Sequence, residues 1–131
     1  MGVKRDAFCG GWRIVEMSEW DCDYLDEAEP ALLTITRGGQ GTLRFGYVQA
    51  EVDSWFVTRD GLPAVEFSWH GSSEGDEMCG RGWLTAASPA ELRGRIFFHQ
   101  GDESTLVARR ANSGRRQAGL PNQRMRQRRA R

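Results

Sequence analysis

The sequence predicts an all-β chain: an eight-stranded antiparallel up-and-down barrel with one short helix after the first strand. Three observations carry this. Apolar residues alternate with period two in eight separate segments, the signature of strands that bury one face. The connections are short, so sequential strands are neighbours and a meander is the simplest topology. Glycine is frequent at 16 and proline scarce at 4, with 10% aromatic residues among 131, a turn-rich β profile and not a helical bundle. Eight strands of 6–9 residues close into a barrel and so remove two exposed edges.

The elements follow in order along the chain. "GWRIVEM" puts Trp12 and Ile14 on one face, Arg13 and Val15 on the other. "SEWDCDYLDEAEP" breaks the alternation: Ser18 and Asp21 form an S-x-x-D capping arrangement, Trp20 and Tyr24 fall four apart, and Pro30 ends the element. A helix of one to two turns there plugs one end of the barrel. "ALLTIT" pairs Leu33 with Ile35, "RGGQG" turns the chain, and "TLRFGYV" lines up Leu43, Phe45 and Tyr47. "EVDSWFVTR" leads into the Gly/Pro turn "DGLP", and "AVEFSWH" aligns Val65, Phe67 and Trp69. "GRGWLTA", "LRGRIFFH" and "STLVARR" complete the eight, separated by the turns "SPAE" and "QGDE". Gly46, Gly82 and Gly94 fall inside these strands, where barrels use glycine for bends and bulges. The stretch Gly71–Gly75 between the fifth and sixth strands reads as a polar loop.

The formal charge of zero conceals an asymmetry. Seven arginines and no acidic residue lie between Asn112 and Arg131, leaving 11 basic against 18 acidic residues in 1–111, a charge of −7. Residues 1–111 are therefore expected to form the barrel and residues 112–131 a disordered arginine-rich tail. An acidic body is a poor nucleic-acid platform, so nucleic acid or an acidic partner would engage only the tail. No aromatic residue interleaves those arginines, which gives no sign of base stacking.

Cys9, Cys22 and Cys79 are odd in number and widely spaced, with no C-x-x-C. The first 17 residues lack an apolar h-region, and no stretch approaches the ~20 apolar residues of a membrane span. These features predict a cytoplasmic, reducing location with free thiols. No cofactor is implied. "DCDYLDE" fails as a calcium loop, since Asp26 stands where glycine is required and Leu32 where glutamate is required.

"GGWRI" and "LVARR" resemble the lipocalin and wider calycin pattern. In that pattern a G-x-W opens the first strand and a last-strand arginine covers the tryptophan; Gly10, Trp12 and Arg109 or Arg110 would take those places. The resemblance implies a ligand cavity. The pieces "WRIVEM", "WDCDYLD", "EFSWHG", "DEMCGRGW" and "GRIFFHQGDES" also resemble a group of small bacterial proteins of unknown function.

Residue chemistry concentrates in "FSWHGSSEGDEMCGRGW", Phe67–Trp83. His70, Glu74, Asp76, Glu77 and Cys79 are ligand types without metal-ligand spacing, so no metal is expected. His70 and His99 each close a strand, and strands five and seven of a meander run the same way, which brings both to one rim. Arg81, between two glycines, is placed to clamp a carboxylate, with Glu77 or Asp102 as the internal partner and an anionic ligand as the alternative. Non-catalytic binding of a small molecule, in or at the barrel mouth, is the expected function. Its candidate wall is Trp20, Tyr24, Trp69, His70, Arg81 and His99, with Trp20 as a lid. Two rivals stand beside it. One is an acid–base enzyme using His70, His99 and Cys79 with Glu77, Asp102 and Glu103. The other is an interaction scaffold acting through its acidic surface or basic tail.

Overall fold

The computed structural model describes residues 2–111, with side chains from Arg5 onward. The expected tail at 112–131 lies outside the described residues. Eight strands form one closed antiparallel barrel in sequential order. They are β1 (Gly10–Met17), β2 (Leu32–Ile35), β3 (Gln40–Phe45), β4 (Val48–Arg59), β5 (Leu62–Ser73), β6 (Asp76–Ser88), β7 (Glu91–Phe98) and β8 (Glu103–Arg110). Pairing of β1 with β8 closes the cylinder, with one bulge between Ile14 and Glu16.

The period-two pattern sets which face is inside. Trp12, Ile14, Leu33, Ile35, Leu43, Phe45, Val65, Phe67, Trp69, Leu84, Leu92, Ile96 and Leu106 are buried in one continuous core. The intervening residues of the same strands face outward, as the pleat requires. The axis of the barrel is thus filled by large side chains, the common outcome for eight strands.

Each end is covered by an element that the alternation does not reveal directly. After β1, Asp21 caps the four-residue helix α2 (Cys22–Leu25), its carboxylate accepting from the Tyr24 backbone N–H at 3.0 Å. Ser18 takes no part in that cap; it bonds to Ser104 and Thr105 on β8 instead. The helix ends at Leu25, well before Pro30, because Asp26 turns back to accept from the Ala31 N–H and to pair with Arg13. At the opposite end a helix unseen in the sequence pattern, α1 (Gly2–Phe8), buries Phe8 completely. The Phe8 carbonyl accepts from Trp12 Nε1 at 2.9 Å. The Arg110 guanidinium lies 4.0 Å from the centre of the Trp12 ring and donates to carbonyls of Asp6, Ala7 and Cys9 at the end of α1. Arg109 instead pairs with Glu91.

Two turns differ from expectation. Gly46 is not inside a strand: Phe45 pairs with Val48, and Gly46–Tyr47 form the two-residue connection between β3 and β4. Gly46 has φ +57°, and a Cβ there would fall 2.1 Å from the Tyr24 ring, so the turn and the packing of α2 both require glycine. The Gly71–Gly75 stretch is mostly strand. The β5–β6 ladder runs out to Ser73 and Asp76, and only Glu74 and Gly75, both at positive φ, form the hairpin turn.

Candidate functional site

The barrel mouth is the end that carries α2, because β1, β3, β5 and β7 all finish there. Trp20 stacks against Tyr24 with ring centres 6.4 Å apart, and lies 5.3 Å from Phe45 and 5.5 Å from Phe98. Phe98 in turn meets Trp69 edge-on at 5.0 Å. These five rings seal the mouth. The Trp69 indole N–H is buried and has no hydrogen-bond partner among the described residues; its closest aromatic neighbour is Phe98.

The six candidate residues therefore divide into two groups. Trp20, Tyr24 and Trp69 belong to the inner plug. His70, Arg81 and His99 stand on the outer wall, since His70 follows the inward Trp69 and Arg81 precedes the inward Gly82. They do not form one wall, because adjacent residues of a strand point to opposite faces. The two histidines do reach the same end: His70 is opposite Cys79, and the His99 N–H bonds to the Cys79 carbonyl at 2.7 Å. His70 lies within β5 and does not close it.

Cross-strand register lays two outward patterns, three rows in all, over β4–β7. One runs Glu51, His70, Cys79, with His99 beyond. It places a carboxylate, an imidazole and a thiol on successive strands, yet no side-chain hydrogen bond joins them and all three are exposed. Among the described residues no group of three His, Cys, Asp or Glu side chains is arranged to hold a metal ion. The other pattern runs Trp55, Glu66, Trp83, Arg95, beside Asp53, Ser68, Arg81, Phe97.

This second pattern encloses a groove of about 370 Å³, lined by Glu66, Arg81, Gly82, Trp83, Phe97, Phe98 and His99. Its volume is within the range of small-molecule sites. Trp55 Nε1 donates to Glu66 Oε1 at 3.2 Å, which fixes that carboxylate at one end. The Arg59 guanidinium sits 3.9 Å from the centre of the Trp83 ring and holds the indole against the wall. Arg81 lies 5.6 Å from the Trp55 ring centre. It pairs with neither Glu77 nor Asp102: those carboxylates belong to the rim hairpin and the β7–β8 turn, outside the row that Arg81 shares with Ser68 and Phe97. Gly82 keeps the strand close to the core, since a Cβ there would lie 2.2 Å from the Phe67 ring.

Glu66, Trp83 and Phe97 were not among the expected site residues. The available signal was the spacing in "GRGWLTA", which puts Arg81 and Trp83 on one face; it needed the knowledge that Gly82 and Leu84 face inward. A wider opening at the rim is bounded by His70, Gly71, Ser72, Glu77, Met78 and Cys79. Searches against family models, curated proteins and solved structures find no match to this chain.

Proposed function

We propose that this chain is a non-catalytic binder of a small molecule, held on the outer wall of the barrel just below its mouth. The observation that carries this reading is the groove in which two aromatic side chains, Trp83 and Phe97, flank a guanidinium and an imidazole, Arg81 and His99. Apolar walls with a few convergent polar groups are what orient and retain a small ligand. The filled axis favours this wall over the interior as the place of binding. Arg110 over Trp12 supports a calycin-like ancestry, in which the closed end is braced and the mouth end carries ligand. Three free thiols agree with a reducing, cytoplasmic setting. Among the described residues no helix is long and apolar enough to cross a membrane.

A fragment screen against the isotope-labelled full chain, read by amide chemical shifts, tests the proposal. Binders are expected to move the signals of Arg81, Gly82, Trp83, Phe97 and His99 together. Binders that move only Trp20, Tyr24 and Trp69 would transfer the site to the inner plug. A screen without any groove binder would overturn the reading.

A further inference from the structure

We propose that the arginines of residues 124–131 dock in cis on an aromatic and acidic strip at the barrel mouth, built on Trp20, Tyr24 and Tyr47. The contact lies apart from the groove and stands or falls independently of it.

The strip is assembled from separate parts of the chain. Tyr24, on α2, stacks beside Trp20 and meets Tyr47 edge-on with ring centres 6.1 Å apart. Trp20 and Tyr24 are half-buried, and Tyr47, in the β3–β4 turn, is 38% exposed. Carboxylates border the rings. Glu19, Asp21 and Asp23 lie along the chain into α2, and Glu27 follows it. Glu74, in the β5–β6 turn, stands beside Tyr47 because Ser73 pairs with Val48. The Tyr47 hydroxyl donates to Glu27 at 3.0 Å; that bond above all, with the charges of Glu27 and Glu74, holds the phenol above its ordinary pKa. Among the described residues none of these five carboxylates pairs with an arginine.

The barrel has no arginine left for them. Of the ten arginines in residues 5–111, six pair with carboxylates elsewhere. Arginine is also what covers rings in this molecule: Arg5 lies over Phe56, Arg59 over Trp83, Arg81 over Trp55 and Arg110 over Trp12. Those four complete the ten. Trp20, Tyr24 and Tyr47 have no such cation among the described residues. A ring face attracts a guanidinium, and a carboxylate suits its fork of donors, so a strip that offers both is matched to arginine. The side-chain cations still unassigned are Lys4, in α1 at the closed end, and the seven arginines of residues 112–131. Their charge of +7 equals the −7 of residues 1–111.

Reach selects which arginines can dock. The described chain leaves the barrel at Ala111, at the closed end, where its N–H bonds to the Gly11 carbonyl. β8 spans the barrel in eight residues, about 26 Å at roughly 3.3 Å per residue. It pairs with β1, which leads directly into Trp20 and α2, so the strip lies on the same side of the cylinder. Arg115 and Arg116 are within five residues of Ala111 and extend at most about 17 Å. Arg124 is thirteen residues on, and about 43 Å of chain brings it and the arginines at 126, 128, 129 and 131 to the mouth with slack. A tether this short supplies an effective concentration on the order of millimolar, which favours the same chain over a second copy.

The test compares the isotope-labelled full chain with a full-length variant carrying Arg124→Gln, Arg126→Gln, Arg128→Gln, Arg129→Gln and Arg131→Gln. At about 10 mM salt, where the screening length is roughly 30 Å, the amide signals of Trp20, Tyr24, Tyr47 and Glu74 should differ between the two. At about 1 M salt, with a screening length of about 3 Å, they should converge. The double variant Arg115→Gln, Arg116→Gln should keep the parent positions. Unchanged core-strand signals show that both variants fold. Coincident parent and fivefold-variant signals at low salt would overturn the contact, and so would an equal displacement by the double variant. A cis contact does not depend on protein concentration, so the parent positions should hold over about tenfold dilution. Drift toward the variant's positions on dilution would assign the contact to a second copy and overturn the cis docking.

Discussion

At the scale of single residues, the outer row Glu51–His70–Cys79, with His99 beyond, holds the imidazoles and the thiol that an acid–base enzyme would use. These residues are Cα partners across three strands, but their side chains share no hydrogen bond. Nucleophilic activation needs the base within hydrogen-bond reach of the thiol. Removing the imidazole by His70→Ala should therefore leave the alkylation rate of Cys79 within about twofold of the parent, measured by mass spectrometry with iodoacetamide. A fall of an order of magnitude would revive the enzyme reading. The same scale shows what was legible in the sequence. Arg81 and His99 stand out by residue type alone. Trp83 and Phe97 do not, because a tryptophan or phenylalanine on a strand reads first as core. Only the inward positions of Gly82 and of Phe98 reveal that both neighbours face solvent.

At the scale of elements, period-two alternation located all eight strands, since a residue misplaced by one position would move its whole hydrophobic set to water. What alternation cannot locate is structure made without it. Among its described side chains helix α1 has one large buried one, Phe8, and α2 has four residues, too few for a 3.6-residue period to register. The β7–β8 hairpin carries a charge contact that is testable on its own. Glu91 opens β7 and stands opposite Arg109, with Arg93 two residues along. The hydrogen bond from Arg93 holds the Glu91 carboxyl below its ordinary range, and Arg109 adds to this. A carboxyl lowered in the folded state contributes stability above its unfolded value of about 4.3 and loses it as pH falls through the folded value. Glu91→Gln should thus lower the thermal midpoint slightly at neutral pH, and the gap from the parent should narrow as pH falls below the unfolded value of about 4.3. A gap that does not change with pH would assign the loss to packing of the side chain and not to its charge.

At the scale of the whole molecule, fold and charge are separable. Barrel closure uses strand pairs between Gly10 and Arg110, followed by one backbone bond from Ala111 to Gly11. A chain ending at Ala111 should therefore keep the eight-stranded fold, seen as unchanged amide shifts for the core strands. Its net charge, however, moves from zero to −7. An anionic ligand approaching the groove then meets a more negative molecule. At about 10 mM salt the screening length is roughly 30 Å and the whole barrel is felt; at 0.15 M it is about 8 Å and only the groove's own charges count. Shortening the chain should accordingly weaken groove binding of an anionic fragment from the screen at low salt and leave it nearly unaltered at physiological salt. Equal weakening at both salts would mean that residues 112–131 contact the ligand or the groove itself. Loss of a macromolecular partner on the same truncation, with the groove unaffected, would instead favour the scaffold reading.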